Sequence, residues 1–294
     1  MSGLGYGYKV GHWTDPEGRS GCTVILMPPG NVTSCDIRGS SPSSRELEHL
    51  HPDRKMTEVH AIVLTGASAF GLAAADGVMG WLAERGIGYQ TPAGVVPIVP
   101  AAVVFDTGAF IEPARPTPEA GRAACDDAVE DGAASGRVGA GAATTVGKWA
   151  GREHAAPGGV GFGRASHEDT AVSALAVVNA VGDVLEEDGS VLAGTQAPHA
   201  GYVPMRPAEE LGTNTVLALL VTEARLDKRD VRYLAARGSD GITIAVRPAH
   251  TRYDGDVVFA SAVGGKGAVA DLDLLGQLAT KAVADAVRNA VRPE

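Results

Sequence analysis

Gly212-Thr213-Asn214-Thr215-Val216-Leu217-Ala218-Leu219-Leu220-Val221-Thr222 places an Asn-Thr pair directly before an unbroken apolar run. Val216 to Thr222 reads as a buried strand bounded by small polar residues. Taken alone, Asn214-Thr215 is a polar turn feeding that strand. A cut before Thr215 would change its chemistry, because one residue would then carry a hydroxyl nucleophile and a free α-amine, the pairing that activates threonine in nucleophilic catalysis.

Upstream, Gln196 to Leu211 is rich in Pro, Ala and Gly and reads as an exposed linker. Ala171 to Val181 reads as a strand leading to a hairpin through Glu187-Asp188-Gly189-Ser190. Downstream, Asp227 is placed to cap a helix running to about Arg237, and Asp256 to Val263 reads as a strand. Ala268 to Val291 forms a final helix, with Leu272, Leu275, Leu278, Ala279, Ala282, Ala286 and Val287 as its apolar stripe. In the first half, Cys22 to Met27 and Val32 to Ile37 read as two strands joined by a turn at Pro28-Pro29-Gly30-Asn31. Ser40 to Asp53 reads as a surface loop with a short helix at Glu46 to His49, and Val59 to Thr65 as a strand before a helix over Ala69 to Arg85. Val95 to Phe105 reads as an apolar strand bent or edged by Pro97 and Pro100, and Pro118 to Ser135 as an amphipathic helix. Gly136 to Gly163 is glycine-rich, with a strand only near Ala143 to Val146. Helices and strands mix without strict alternation, which favours helices packed on sheets over a doubly wound parallel sheet.

At 294 residues, 45% hydrophobic and 20% charged, the chain has the composition of a globular protein with a sizeable core. A net charge of -10 disfavours nonspecific binding to nucleic acid or an anionic membrane surface. No stretch is apolar for the roughly 18 residues of a membrane helix, and the start lacks a signal-peptide pattern, so a cytoplasmic location is the expectation. Cys22, Cys35 and Cys125 are odd in number and widely spaced, and read as reduced core residues.

Gly139 to Lys148 invites a phosphate-loop reading, but that loop needs Gly six residues before the Lys and a hydroxyl after it. Ala142 and Trp149 stand there instead. The eight histidines form no metal-ligand spacing, and no Gly-x-Ser-x-Gly elbow occurs. No cofactor or metal is expected. His250-Thr251-Arg252-Tyr253-Asp254-Gly255-Asp256 is more suggestive, since two carboxylates flank a glycine just before a strand. Alone it is a solvated acidic turn. Beside Thr215, the carboxylates could orient the hydroxyl and hold the amine as it takes up a proton.

Several separated motifs, in order, resemble the P1 peptidase family of self-cleaving aminopeptidases, which includes the DmpA type, β-aminopeptidases and nylon-oligomer hydrolases. They are Val59 to Gly66 followed by Ser68-Ala69-Phe70-Gly71, Val95 to Asp106, Gly139 to Lys148, Asn214-Thr215, and Arg247-Pro248-Ala249-His250-Thr251 running into Asp254-Gly255-Asp256. The resemblance implies an α+β fold, a single-domain αββα sandwich of the N-terminal-nucleophile (Ntn) hydrolase type. It implies self-cleavage at Asn214-Thr215 into an α subunit of residues 1–214 and a β subunit of residues 215–294. It further implies Thr215 as nucleophile, Asp254 and Asp256 orienting it, Lys148 and Asn179 lining the site, and assembly of four αβ units. Phe105, a candidate substrate-binding residue, stands where some members have Tyr and so lacks any hydroxyl contact from that position, and Asp254 and Asp256 stand where others have Ser and Glu, which places the chain nearer the threonine-type members. The function expected is cleavage of amide bonds in small substrates or short peptides. β-Peptides and 6-aminohexanoate oligomers, an amidase or esterase acting without maturation, and an uncleaved binding protein are the alternatives.

Overall fold

A computed structural model describes residues 3–106, 114–197, 214–264 and 271–292. The first sheet draws on β1 (Lys9–Thr14), β2 (Gly21–Leu26), β4 (Ser44–Arg45), β5 (Ala61–Thr65) and β6 (Ala101–Val103). The second draws on β3 (Val32–Ile37), β7 (Gly159–His167), β8 (Thr170–Asn179), β9 (Thr215–Thr222) and β10 (Val257–Ala262). Strand order is β1-β2-β5-β6-β4 in one and β7-β8-β9-β10-β3 in the other. Pairing is antiparallel except for β5 with β6 and β9 with β10. Helices α1 (Ala74–Ala83) and α2 (Pro118–Asp126) cover the first sheet, and α3 (Lys228–Ala245) and α4 (Leu272–Asn289) cover the second. The layers are therefore αββα.

Period-2 alternation sorts each central strand between two cores. In β9, Val216, Ala218 and Leu220 pack under α3 and α4, while Leu217, Leu219 and Val221 pack against the other sheet. In β8, Ala174, Ala176 and Val178 face the helices, and Leu175 and Val177 face the other sheet. Continuing the alternation by one step puts Thr215 and Asn179 on the inter-sheet side, where the sandwich ends. A strand reading of Val216 to Thr222 thus settles where the Thr215 side chain goes.

Several expected elements change. Cys22 to Met27 and Val32 to Ile37 are strands but not a hairpin, because Pro28 to Asn31 carries the chain from one sheet to the other. Buried Asn31 holds that crossing, its Nδ2 donating to the carbonyls of Pro28 at 2.9 Å and Val59 at 2.8 Å. The helix expected over Pro118 to Ser135 stops at Asp126, since Val129 exchanges two backbone hydrogen bonds with Val10 and extends the edge of the first sheet. The Val95 to Phe105 run splits at its prolines into a short hairpin strand and β6. The helix after β5 begins as a 3-10 turn over Ser68–Ala73. Asp227 caps α3 as expected, accepting from the amides of Arg229 and Asp230, but the helix continues to Ala245. Asp271 caps α4. All three cysteines are free and buried. Most of the linker expected at Gln196 to Leu211 lies outside the described residues.

Strand β7 went unread because its glycines look like loop. Gly159, Gly161 and Gly163 share one face of it, and α4 lies directly upon them. A Cβ on each would stand 2.4, 2.2 and 2.1 Å from the carbonyl oxygens of Ala290, Ala286 and Ala282. The two-residue step of a strand, about 6.8 Å, runs beside the four-residue step of a helix, about 6 Å. Glycine here is a packing requirement. Gly161→Ala is therefore expected to lower stability by about 1–3 kcal/mol, as overpacking does, and to lower the midpoint of chemical denaturation.

Candidate active site

Thr215 opens β9 and pairs with Asn179 at the end of β8. Asn214 makes a parallel bridge to Asp254 in the turn that precedes β10. Thr215, Asn214, Asn179, Asp254, Asp256 and Lys148 are all buried. The five side chains expected from the sequence to carry chemistry, and the peptide bond between Asn214 and Thr215, therefore meet at one end of the sandwich.

The junction itself is held tightly. The Thr215 hydroxyl donates to the Asn214 carbonyl oxygen at 2.5 Å, and the backbone N–H of Gly255 donates to the same oxygen at 2.8 Å. The Asn214 carbonyl oxygen thus takes one hydroxyl and one backbone amide, contacts that polarise a carbonyl. Gly255 must be glycine for this approach, since a Cβ there would stand 2.6 Å from the Ser41 carbonyl oxygen and 3.0 Å from Thr215 Oγ1. The Asn214 side chain donates to the Tyr253 carbonyl at 3.3 Å, while its Oδ1 is buried and meets no donor among the described residues.

The two carboxylates have different surroundings. Asp256 Oδ1 accepts from the Val216 amide at 2.6 Å, one residue beyond Thr215, and Oδ2 lies 2.7 Å from His250 Nδ1. Asp254 Oδ2 accepts from the Thr251 amide at 2.8 Å and its hydroxyl at 2.6 Å. Burial, with the adjacent Asp256 charge, pushes Asp254 up to about 6.

Lys148 opens a short 3-10 turn, and its Nζ donates to Asn179 Oδ1 at 2.9 Å and to the Asn179 carbonyl at 3.0 Å. The Thr145 amide also donates to Asn179 Oδ1, at 3.1 Å. These donors fix the amide so that Nδ2 is its donating end, and Nδ2 gives a 2.9 Å bond to the Phe105 carbonyl across the gap between the sheets. Phe105 thus joins the site through its backbone.

Two residues at the site were missed as candidates. Asp106 is buried, accepting from Ser20 Oγ and the Ala67 amide, each at 2.8 Å. Burial raises it to about 6, against those bonds and the nearby Lys148 charge. It anchors a turn in which Ala67 and Ser68 both have positive φ, at the start of the 3-10 turn Ser68–Ala73. A carboxylate closing the apolar run Ala101 to Phe105 was the available signal. His250 is the second. It has no metal-ligand spacing to mark it, and its only local signal is Asp256 six residues on.

The family model for peptidase family S58 matches residues 6–293. An uncharacterized aminopeptidase of Mycobacterium leprae is 38% identical over 291 residues, covering 91% of this chain and 80% of the relative. A 6-aminohexanoate-oligomer endohydrolase of Agromyces sp. is 31% identical over 271 residues, covering 86% of this chain and 72% of the relative. Among solved structures, a Burkholderia sp. β-aminopeptidase superposes with a TM-score of 0.72 at 19% identity, covering 99% of this chain and 88% of that one. The L-aminopeptidase D-Ala-esterase/amidase of Ochrobactrum anthropi, described as a variant of the Ntn hydrolase fold, superposes with a TM-score of 0.71 at 17% identity, covering 99% and 87%. The αββα sandwich is the fold these structures share.

Proposed function

The chain belongs to peptidase family S58, and from that premise we propose that it is a self-processing amide hydrolase whose nucleophile is Thr215. One observation carries the reading: the Thr215 hydroxyl and the Gly255 amide both contact the Asn214 carbonyl oxygen. In the precursor, Thr215 Oγ1 attacks the Asn214 carbonyl carbon and its proton is passed on. The C–N bond breaks, and the Thr215 nitrogen takes up a proton to become an amine. Water then hydrolyses the Asn214 ester, releasing a carboxylate at Asn214 and restoring the hydroxyl. Residues 1–214 and 215–294 result.

In turnover, the Thr215 amine acts as general base for its own hydroxyl, and a substrate acyl group occupies the place Asn214 held. Gly255 N–H would then face the substrate carbonyl oxygen. An α-amine titrates near about 8 when unperturbed, so it needs little tuning to work near neutrality. Asn179 is held in place by Lys148 and braces the Thr215 end of the strand pair. Short peptides or amino-acid amides are the proposed substrates. Assembly as four αβ units and a cytoplasmic setting belong to the same proposal.

Pure protein aged at neutral pH is expected to resolve into two fragments on denaturing gels, the smaller beginning at Thr215 by N-terminal sequencing. Hydrolysis of an α-, β- or D-amino-acid p-nitroanilide should rise in step with cutting. A single chain of 30.0 kDa that hydrolysed such substrates at full rate would remove the maturation step.

A further inference from the structure

His250 lies between the carboxylate next to the nucleophile and the body of α3. Its Nδ1 is 2.7 Å from Asp256 Oδ2, and its Nε2 is 3.0 Å from the Ser239 carbonyl oxygen. Its own amide also donates to Asp256 Oδ2, at 3.3 Å. A carboxylate and a carbonyl can only accept, so hydrogen bonds on both sides require a proton on each ring nitrogen, and the ring is an imidazolium. The backbone is left-handed here, with φ 53, a conformation that non-glycine residues rarely hold without surrounding constraint.

The constraint is anchored further back. The Ser239 hydroxyl donates to Asp36 Oδ2 at 2.7 Å, and Asp36 also pairs with Arg38 at 2.8 Å and Arg232 at 2.7 Å. Arg38 in turn pairs with Asp240 on α3. The charged groups around the imidazolium are thus Asp256 on its own turn, with Arg38 after β3 and Asp36, Arg232 and Asp240 largely occupied with one another. Burial and Arg38 oppose the charge on His250, but the hydrogen bond and charge of Asp256, with the bond to the Ser239 carbonyl, outweigh them and hold it above its ordinary range.

We propose that His250 is a positioning residue that neutralises and fixes Asp256, so that the carboxylate pair presents about one net negative charge to the Thr215 amine. The proposal rests on the N-terminal nucleophile reading above. Two ionised carboxylates beside a buried amine would favour its ammonium form and leave no base at neutral pH. With Asp256 compensated by His250, and with Asp106 on the facing sheet near the Lys148 charge, Asp254 is the carboxylate of the pair left uncompensated. The amine can then shed its proton in the working range.

His250→Asn tests this, because Asn tolerates a left-handed backbone and keeps a donor for Asp256 while removing the charge. The expected variant is still cut before Thr215. The upper acid break of its kcat/KM profile moves up by about one pH unit, so activity below the break falls about tenfold. Normal cutting with an unmoved break would overturn the proposal, even if kcat fell at every pH. Should the variant fail to mature, nitrogen NMR of the processed wild-type protein decides: both His250 ring nitrogens protonated at pH 7.5 supports the proposal, and a neutral ring overturns it. A wild-type protein that is never cut at Thr215 would instead remove the nucleophile reading on which the proposal stands.

Discussion

Thr215→Ala is expected to remain one chain of 30.0 kDa indefinitely and to lose hydrolysis by about 10⁴-fold or more, the scale seen when a nucleophile is deleted from a working group of catalytic residues. The methyl group of Ala keeps the backbone of β9, and the strand on either side is unaffected. Folding should therefore survive, which a circular dichroism spectrum and melt can verify. Thr215→Ser supplies the complementary result: a hydroxyl at the same place, without the methyl, is expected to be cut and to turn over. Intact mass over several days separates these outcomes. An Ala variant that hydrolysed amides at the wild-type rate would remove Thr215 from the chemistry.

Asp254→Asn is expected to lower kcat/KM by about 10²–10³-fold, since it removes the charge proposed to hold the amine as it takes up a proton. Its pH profile is more telling than its rate. In the wild type, activity should fall first through the amine and then more steeply at lower pH, where Asp254 takes up a proton. The Asn variant should lack the lower break. Its amine break should also move down, opposite in sign to the shift expected for His250→Asn.

Stability follows the same carboxyl with its own sign. Burial raises Asp254 in the folded state, so between the ordinary carboxyl range and about 6 the native protein binds more protons than the unfolded chain. Its contribution therefore falls as pH rises through that window. Asp106, also raised to about 6, acts in the same direction. Thermal melts from pH 4 to 7 of the uncut Thr215→Ala chain should show a flatter dependence when Asp254→Asn is added, with the Asp106 part remaining.

Much of the sandwich was legible because its central strands are apolar on both faces. Val216 to Thr222, Ala171 to Val178 and Val257 to Ala262 have no competing helical pattern, and the stripe of the last helix is unambiguous. What escaped was decided by distant partners. No local signal says that Val129 will pair with Val10, or that glycines 159, 161 and 163 will lie beneath a helix more than a hundred residues away. Nor does the Pro28-Pro29 turn show whether the next strand returns to its own sheet. The site had the same division. Thr215, Asp254 and Asp256 stand at strand ends next to recognisable small-residue turns, while Asp106 and His250 gain meaning only when the fold brings Ala67, Ser20, Ser239 and Asp256 against them.

The order β7-β8-β9-β10-β3 has an outcome for the lifetime of the protein. Strands β9 and β10 come from residues 215–294, and they are clasped between β8 and β3, which come from residues 1–214. If the junction is cut as proposed, neither piece carries the full folding instructions, and each would leave two strand edges bare were the pieces to separate. Reassembly would then depend on two molecules finding each other, where the precursor needed only itself. Maturation would thus work as a ratchet: the chain folds once with help from its own continuity, then gives that continuity up, and its endurance afterwards rests on how slowly the clasped sheet opens.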